Sequence, residues 1–205
     1  MDLYAEMKRI CDSLNQNGIR YCIAEWWEKS GILEIFIHPD YKTVAARLFA
    51  SMGYKEFPFR KEHYSFIYRM IPDAFWKAKG DLILHSACQM SCISLSNLSN
   101  CILPLDESIQ QSIWNEKYLD PQSGNWVLSK EDRLIHLVTG AIFNDRQFNE
   151  DTIVKIGLCN ANYDSSSLRR KLEGVFFKFT PHLIEYLKNG NYDEIIHAYR
   201  TFRDY

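Results

Sequence analysis

Leu3, Met7, Ile10 and Leu14 recur at helical spacing, which predicts an amphipathic helix over residues 1–17, stopped by Asn17-Gly18. Residues 20–24, Arg-Tyr-Cys-Ile-Ala, read as a short buried strand. Residues 25–31 break that pattern with Glu25, Trp26, Trp27, Glu28 and a Ser30-Gly31 pair, and read as a polar and aromatic turn. The next run, 32–38, alternates. Ile32, Glu34, Phe36 and His38 share one face of a strand, and Leu33, Ile35 and Ile37 share the other. Pro39-Asp40 opens a helix over about residues 41–52, with Val44, Leu48, Phe49 and Met52 as its apolar stripe and Gly53 as its stop. Residues 54–57, 63–70 and 81–87 read as further strands, the last with Asp81, Ile83 and His85 on one face.

Beyond residue 103 helical spacing takes over, apart from an extended piece at 125–128. Ser129 and Asp132 resemble a capping box ahead of a helix carrying Leu134, Leu137, Val138, Ala141 and Ile142. Three more helices are expected near 150–158, 165–179 and 182–203, the last broken at Asn189-Gly190. The fold class is therefore α+β, with a helix–strand core over 1–103 and a mainly helical region over 104–205.

Composition narrows the function more than the fold. The chain has 205 residues, and a net charge of −2 supplies no basic excess for nucleic acid or an anionic membrane. No apolar run approaches the roughly 20 residues that cross a bilayer. The start, Met-Asp-Leu-Tyr-Ala-Glu-Met-Lys, lacks the basic and apolar regions of an export signal, so a cytoplasmic protein is expected. The six cysteines have irregular spacing and read as reduced, partly buried thiols; Cys88 and Cys92 alone do not make a zinc site.

Glu34 is the residue that chemistry singles out. A carboxylate in the middle of an apolar strand requires a partner or a metal. Arg69 and Lys61 are candidate partners on a neighbouring strand. Trp26 and Trp27 have two readings, an exposed contact for a partner protein or packing against the first helix. His38 either faces the cleft or bonds the start of the next helix, and His85 reads as an orienting or core histidine. Arg60-Lys61 and Arg169-Arg170-Lys171 read as solvated faces, the second with an alternative role toward phosphates.

The order helix, strand, turn, acidic strand, helix, strands resembles the minimal fold of the nucleotidyltransferase superfamily. Its members carry a Gly-Ser turn, a strand reading Asp-x-Asp or Asp-x-Glu, and a third carboxylate on a later neighbouring strand. Ile83-Leu84-His85 resembles the Asp-Leu-His strand of the small uncharacterised bacterial nucleotidyltransferases. Leu128-Ser129-Lys130-Glu131-Asp132-Arg133-Leu134-Ile135-His136-Leu137 resembles their Leu-Ser-Pro-Glu-Asp-x-Leu-x-x-Leu segment. The resemblance implies a nucleotidyltransferase-like mixed sheet and two Mg²⁺ ions held by strand carboxylates. It places Ser30, Gly31, His38 and His85 near a nucleotide.

This chain departs from that pattern where the chemistry is concentrated. The first carboxylate falls on Ile32, the second on Glu34 and the third on Ile83, while Ala24-Glu25 replaces the Gly-Ser turn. The resemblance thus implies a degenerate, non-catalytic or weakly active member that binds a nucleotide, a small molecule or a partner protein in the retained cleft. The alternative is an active Mg²⁺-dependent nucleotidyltransferase, with Asp81 joining Glu34 as catalytic residue and metal ligand through a shifted register. A third reading is an interaction protein that uses Trp26 and Trp27 as its contact.

Overall fold

The computed structural model describes residues 2–58, 73–77, 82–93 and 102–203. Helix α1 (Leu3–Gln16) is capped by Asp2, whose carboxylate accepts from the Tyr4 and Ala5 amides, and it buries Met7, Ile10, Cys11 and Leu14. Strands β1 (Tyr21–Trp27) and β2 (Ile32–Ile37) form an antiparallel pair. A 3₁₀ turn at Pro39–Tyr41 leads into α2 (Lys42–Ser51), and β3 (Lys55–Pro58), β4 (Ala74–Lys77) and β5 (Ile83–Ala87) follow. Strands β6 (Ser91–Ile93) and β7 (Ile102–Pro104) pair with each other. Then come α3 (Glu107–Asn115), β8 (Tyr118–Leu119), β9 (Trp126–Val127) and α4 (Lys130–Thr139), which continues as a π turn at Gly140–Asp145. The chain ends in α5 (Glu150–Cys159), α6 (Ser166–Phe176), α7 (Thr180–Asn189) and α8 (Tyr192–Arg203). The expected strand at 63–70, and Asp81 ahead of β5, lie outside the described residues.

Among the described residues the main sheet has seven strands in the order β3-β4-β5-β2-β1-β9-β8. It is mixed: β2 runs parallel to β5, β1 runs parallel to β9, and the other pairs are antiparallel. The architecture is α+β, as the periodicity predicts. Strands β8 and β9 complete one edge of the sheet although they come from beyond residue 104, so the sheet draws on both of the regions expected from the sequence.

The alternation of β2 sorts the core into two clusters. Leu33, Ile35 and Ile37 pack with α1 and α2 residues such as Ile10, Leu14 and Phe49. Phe36 joins the opposite cluster, made largely of Leu134, Ile135, Leu137 and Val138 of α4 and residues of the later helices. Helix α4 buries every residue from Leu134 to Thr139 together with Asp132, and it lies pressed on the sheet face that carries Glu34.

One local irregularity positions the site. The β1–β2 register slips at Ala24: Ile23 pairs with Ile35, and Glu25 pairs with Glu34. Strict alternation from Ile23 would put Glu25 on the α1 face. The extra residue of the bulge turns it to the α4 face, directly opposite Glu34. The strand also runs to Trp27, past the expected end at residue 24. Trp26 and Trp27 are therefore strand residues, and only Glu28–Ser30 forms a turn, a 3₁₀ one.

Candidate functional site

Two carboxylates face one helix. Glu34 is 1% exposed, in the middle of β2. Its Oε2 lies 3.0 Å from Nε2 of His136 on α4, and its Oε1 lies 3.9 Å from Nδ1 of His85. His85 is its cross-strand neighbour on β5. Burial by itself pushes the Glu34 carboxyl up; the hydrogen bonds and charges of His136 and His85 outweigh that and hold it below the usual carboxylate range. With Glu34 ionised, Nε2 of His136 is the donor in that contact.

Glu25 is also buried and is met by permanent or ammonium cations. Arg133 of α4 grips it with two bonds, Nε at 2.8 Å and a terminal nitrogen at 3.0 Å, and Lys155 of α5 donates to the same carboxylate. Lys155 also donates to the Trp26 carbonyl and lies 4.2 Å from the centre of the Trp27 ring. Arg133 and His136 are three apart on α4, so one helical face delivers both partners. The charge of Glu25 is thereby neutralised internally.

A second buried network anchors α4 from behind. Asp132 is fully buried and accepts from the Ser112 hydroxyl at 2.7 Å, the Ser129 hydroxyl at 2.9 Å and Lys171 at 2.9 Å. Ser129 caps α4 as expected, its hydroxyl accepting from the Asp132 amide at 3.2 Å. Lys171 also bonds Glu116 at 2.6 Å. Desolvation lowers the affinity of Lys171 for its proton, and the bonds to Glu116 and Asp132 more than offset it. Lys171 is thus an interior cation bridging α6 to α4, not the solvated or phosphate-facing residue read from the sequence.

The remaining expected residues spread along the sheet. Ser30 closes the 3₁₀ turn and donates to the Trp27 carbonyl at 3.2 Å. Gly31 adopts φ +64°, a left-handed conformation that glycine takes without strain, and its carbonyl accepts from the Ile83 amide at 2.8 Å. His38 lies past the other end of β2, about 13 Å from Glu34 by strand rise. Its Nδ1 accepts from the Asp40 amide at 3.4 Å, and its ring meets Trp114 edge-on at 5.0 Å. That is the helix-start role, and His38 and Gly31 flank opposite ends of the strand. Trp27 is 9% exposed and packs in the α4-side core, and Trp26 packs partly against the α1 side, so the tryptophan pair is not an exposed contact.

Strand β5 is the immediate neighbour of β2, and the register pairs Ile32 with Ile83 and Glu34 with His85. The positions that the resemblance assigns to metal ligands are therefore adjacent, and they are occupied by isoleucine, isoleucine and a glutamate already bonded to imidazole. This donor set does not fit Mg²⁺, which takes hard oxygens in octahedral array. Among the described residues no group of three or more His, Cys, Asp or Glu side chains is arranged to hold a metal.

Glu25, Arg133, His136, Lys155, Asp132 and Lys171 were not singled out as a working cluster by sequence. A signal existed: His136 falls inside the apolar run from Leu134 to Val138, and buried polar groups require partners. No described helix is long and apolar enough to cross a membrane.

No protein-family model matches the chain, and no curated protein does. A solved structure, the solution structure of the antibiotic-resistance factor ANT(2'')-Ia, aligns over 97% of this chain and 97% of its own, with 7% identity and a TM-score of 0.45. At that score the likeness identifies neither a family nor an activity.

Proposed function

We propose that this chain is a nucleotidyltransferase-like protein whose metal-ligand positions have been rebuilt as a packed joint, and that it binds a ligand or partner without two-metal catalysis. The observation that carries this reading is the β2–β5 register. It sets Ile32 beside Ile83, and it leaves Glu34 buried against His136 and His85. Isoleucine in place of aspartate removes the anionic oxygen that would hold a divalent ion, and it also removes the need for one. An architecture can persist after its chemistry is lost.

The test is thermal denaturation with ATP, CTP, GTP and UTP, each with and without Mg²⁺. Stabilisation by a nucleotide independent of Mg²⁺ is the expected result for a nucleotide-binding module. Absence of any shift directs the search to another ligand or a protein partner. Stabilisation that requires Mg²⁺ and disappears in both Glu34→Ala and Asp81→Ala would overturn the reading in favour of the active Mg²⁺-dependent enzyme.

A further inference from the structure

We infer that the cavity at the open end of β1 is a binding site for a free α-amino acid with an apolar side chain. Strand β9 pairs with β1 at Ile23 and Val127, and after a last backbone bond from Leu128 to Ile23 the chain turns away into α4. Strand β1 continues to Trp27. The resulting wedge lies between α1, β1, the β8–β9 hairpin and the start of α4, and it encloses about 320 Å³. That is the lower end of the range for small-molecule sites, about 300–1,000 Å³. It opens on the edge of β1 away from β2 and β5, and Glu25, which lines it, is the cross-strand neighbour of Glu34.

Its lining holds two carboxylates, Glu25 and Asp120, beside cationic and amide donors, and Glu25 is already matched by the two cations Arg133 and Lys155. Arg133 spends two of its five N–H groups on Glu25. The other three have no acceptor among the described residues, and Arg133 lines the cavity. Asn125 also lines it and is 3% exposed. The Asn125 carbonyl oxygen accepts from the Tyr21 hydroxyl at 3.3 Å, which leaves its side-chain NH₂ with no acceptor among the described residues. The Asp120 carboxylate also lines the cavity, fixed in place by the Ser123 amide at 2.9 Å and hydroxyl at 2.6 Å. The rest of the wall is mainly apolar and aromatic, including Met7, Ile23, Trp26 and Val127.

A molecule that satisfies all three features carries a carboxylate for Arg133 and Asn125, an ammonium for Asp120, and an apolar body. A nucleotide fits less well, because its phosphates would bring two or more negative charges beside Asp120. The charge-assisted bonds to the carboxylate and the ammonium, both carried by the α-carbon, fix the orientation, and the apolar wall selects the side chain.

Isothermal titration of the full chain with phenylalanine and leucine tests this directly. N-acetylphenylalanine lacks the ammonium and phenylalaninamide lacks the carboxylate. Each is expected to bind at least about tenfold more weakly than phenylalanine, the size of one lost charge-assisted bond. These comparisons use the unaltered protein and depend on no variant folding. Asp120→Asn, at a partly exposed turn, should weaken phenylalanine and should not weaken N-acetylphenylalanine. Equal binding of the blocked and free forms, retention of full affinity in Asp120→Asn, or no heat from either amino acid at millimolar concentration would each overturn the inference.

Discussion

Glu25 and Glu34 are cross-strand neighbours, both buried, and both are neutralised by the same helix, yet by different chemistry. Glu25 meets a bidentate guanidinium and an ammonium. Glu34 meets two imidazoles, one at hydrogen-bond distance and one at 3.9 Å. Like charges directly opposite on a strand pair repel, so neither carboxylate is tolerable until α4 docks. The difference between them is that one joint is built from a guanidinium and an ammonium and the other from imidazoles. The first acts as a clamp between β1, α4 and α5. The second fills the position that resembles a metal site with internal hydrogen bonds.

Removing the clamp should have the largest effect. Glu25→Gln leaves Arg133 and Lys155 without their counter-charge, and about 3–5 kcal/mol of stability should be lost in urea denaturation. A loss below about 1 kcal/mol would mean that both cations regain water freely and that the clamp behaves as a surface pair.

Glu34→Gln should cost less, about 1.5–3 kcal/mol, because the amide oxygen still accepts from His136 while the charge-assisted part of the bond is lost. Its pH signature distinguishes it from the clamp. The folded-state pKa of Glu34 lies below its unfolded value, so its contribution is complete above about pH 4.3 and is lost as pH falls through the folded value. An acid titration of stability should therefore fall less steeply below about pH 4 in Glu34→Gln than in the parent chain. Identical acid limbs would show that the His136 bond does not hold the carboxylate ionised.

The smallest effect tests what the two joints share. Ser129→Ala removes the cap of α4 and the Ser129 bond to Asp132, and should cost about 1 kcal/mol. If both joints depend on α4 being set at a fixed angle, the variant should also weaken the coupling between Glu25→Gln and Glu34→Gln in a double-mutant cycle. Unchanged coupling would show that the joints form independently.

The strand pattern at 32–38 was legible because alternation is a local property: each residue's face follows from its neighbour's, and the core clusters divide Leu33, Ile35 and Ile37 from Phe36 as the pattern requires. The α4 cap and the break at Asn189-Gly190 were legible for the same reason, since caps act within a few residues; Gly190 takes φ +70° there. The partners of Glu34 were not. Strand neighbours Arg69 and Lys61 were the natural candidates, and both lie outside the described residues, whereas the observed partners are His136, 102 residues away in sequence, and His85. Trp26 and Trp27 read as turn residues because they follow a glutamate, and a bulge that no local rule announced carries the strand through them.

Sequence alone determined the periodicities, the caps and the presence of isoleucine at positions 32 and 83, because each depends on residue type and on contacts a few positions apart. Only the tertiary structure decided that Ala24 is an extra residue in its ladder, that Glu25 consequently faces α4, and that Arg133, Lys155 and His136 neutralise the two carboxylates. Register slips and long-range charge pairing are set by how a helix from one end of the chain seats on a sheet from the other, and nothing within a local window encodes that distance.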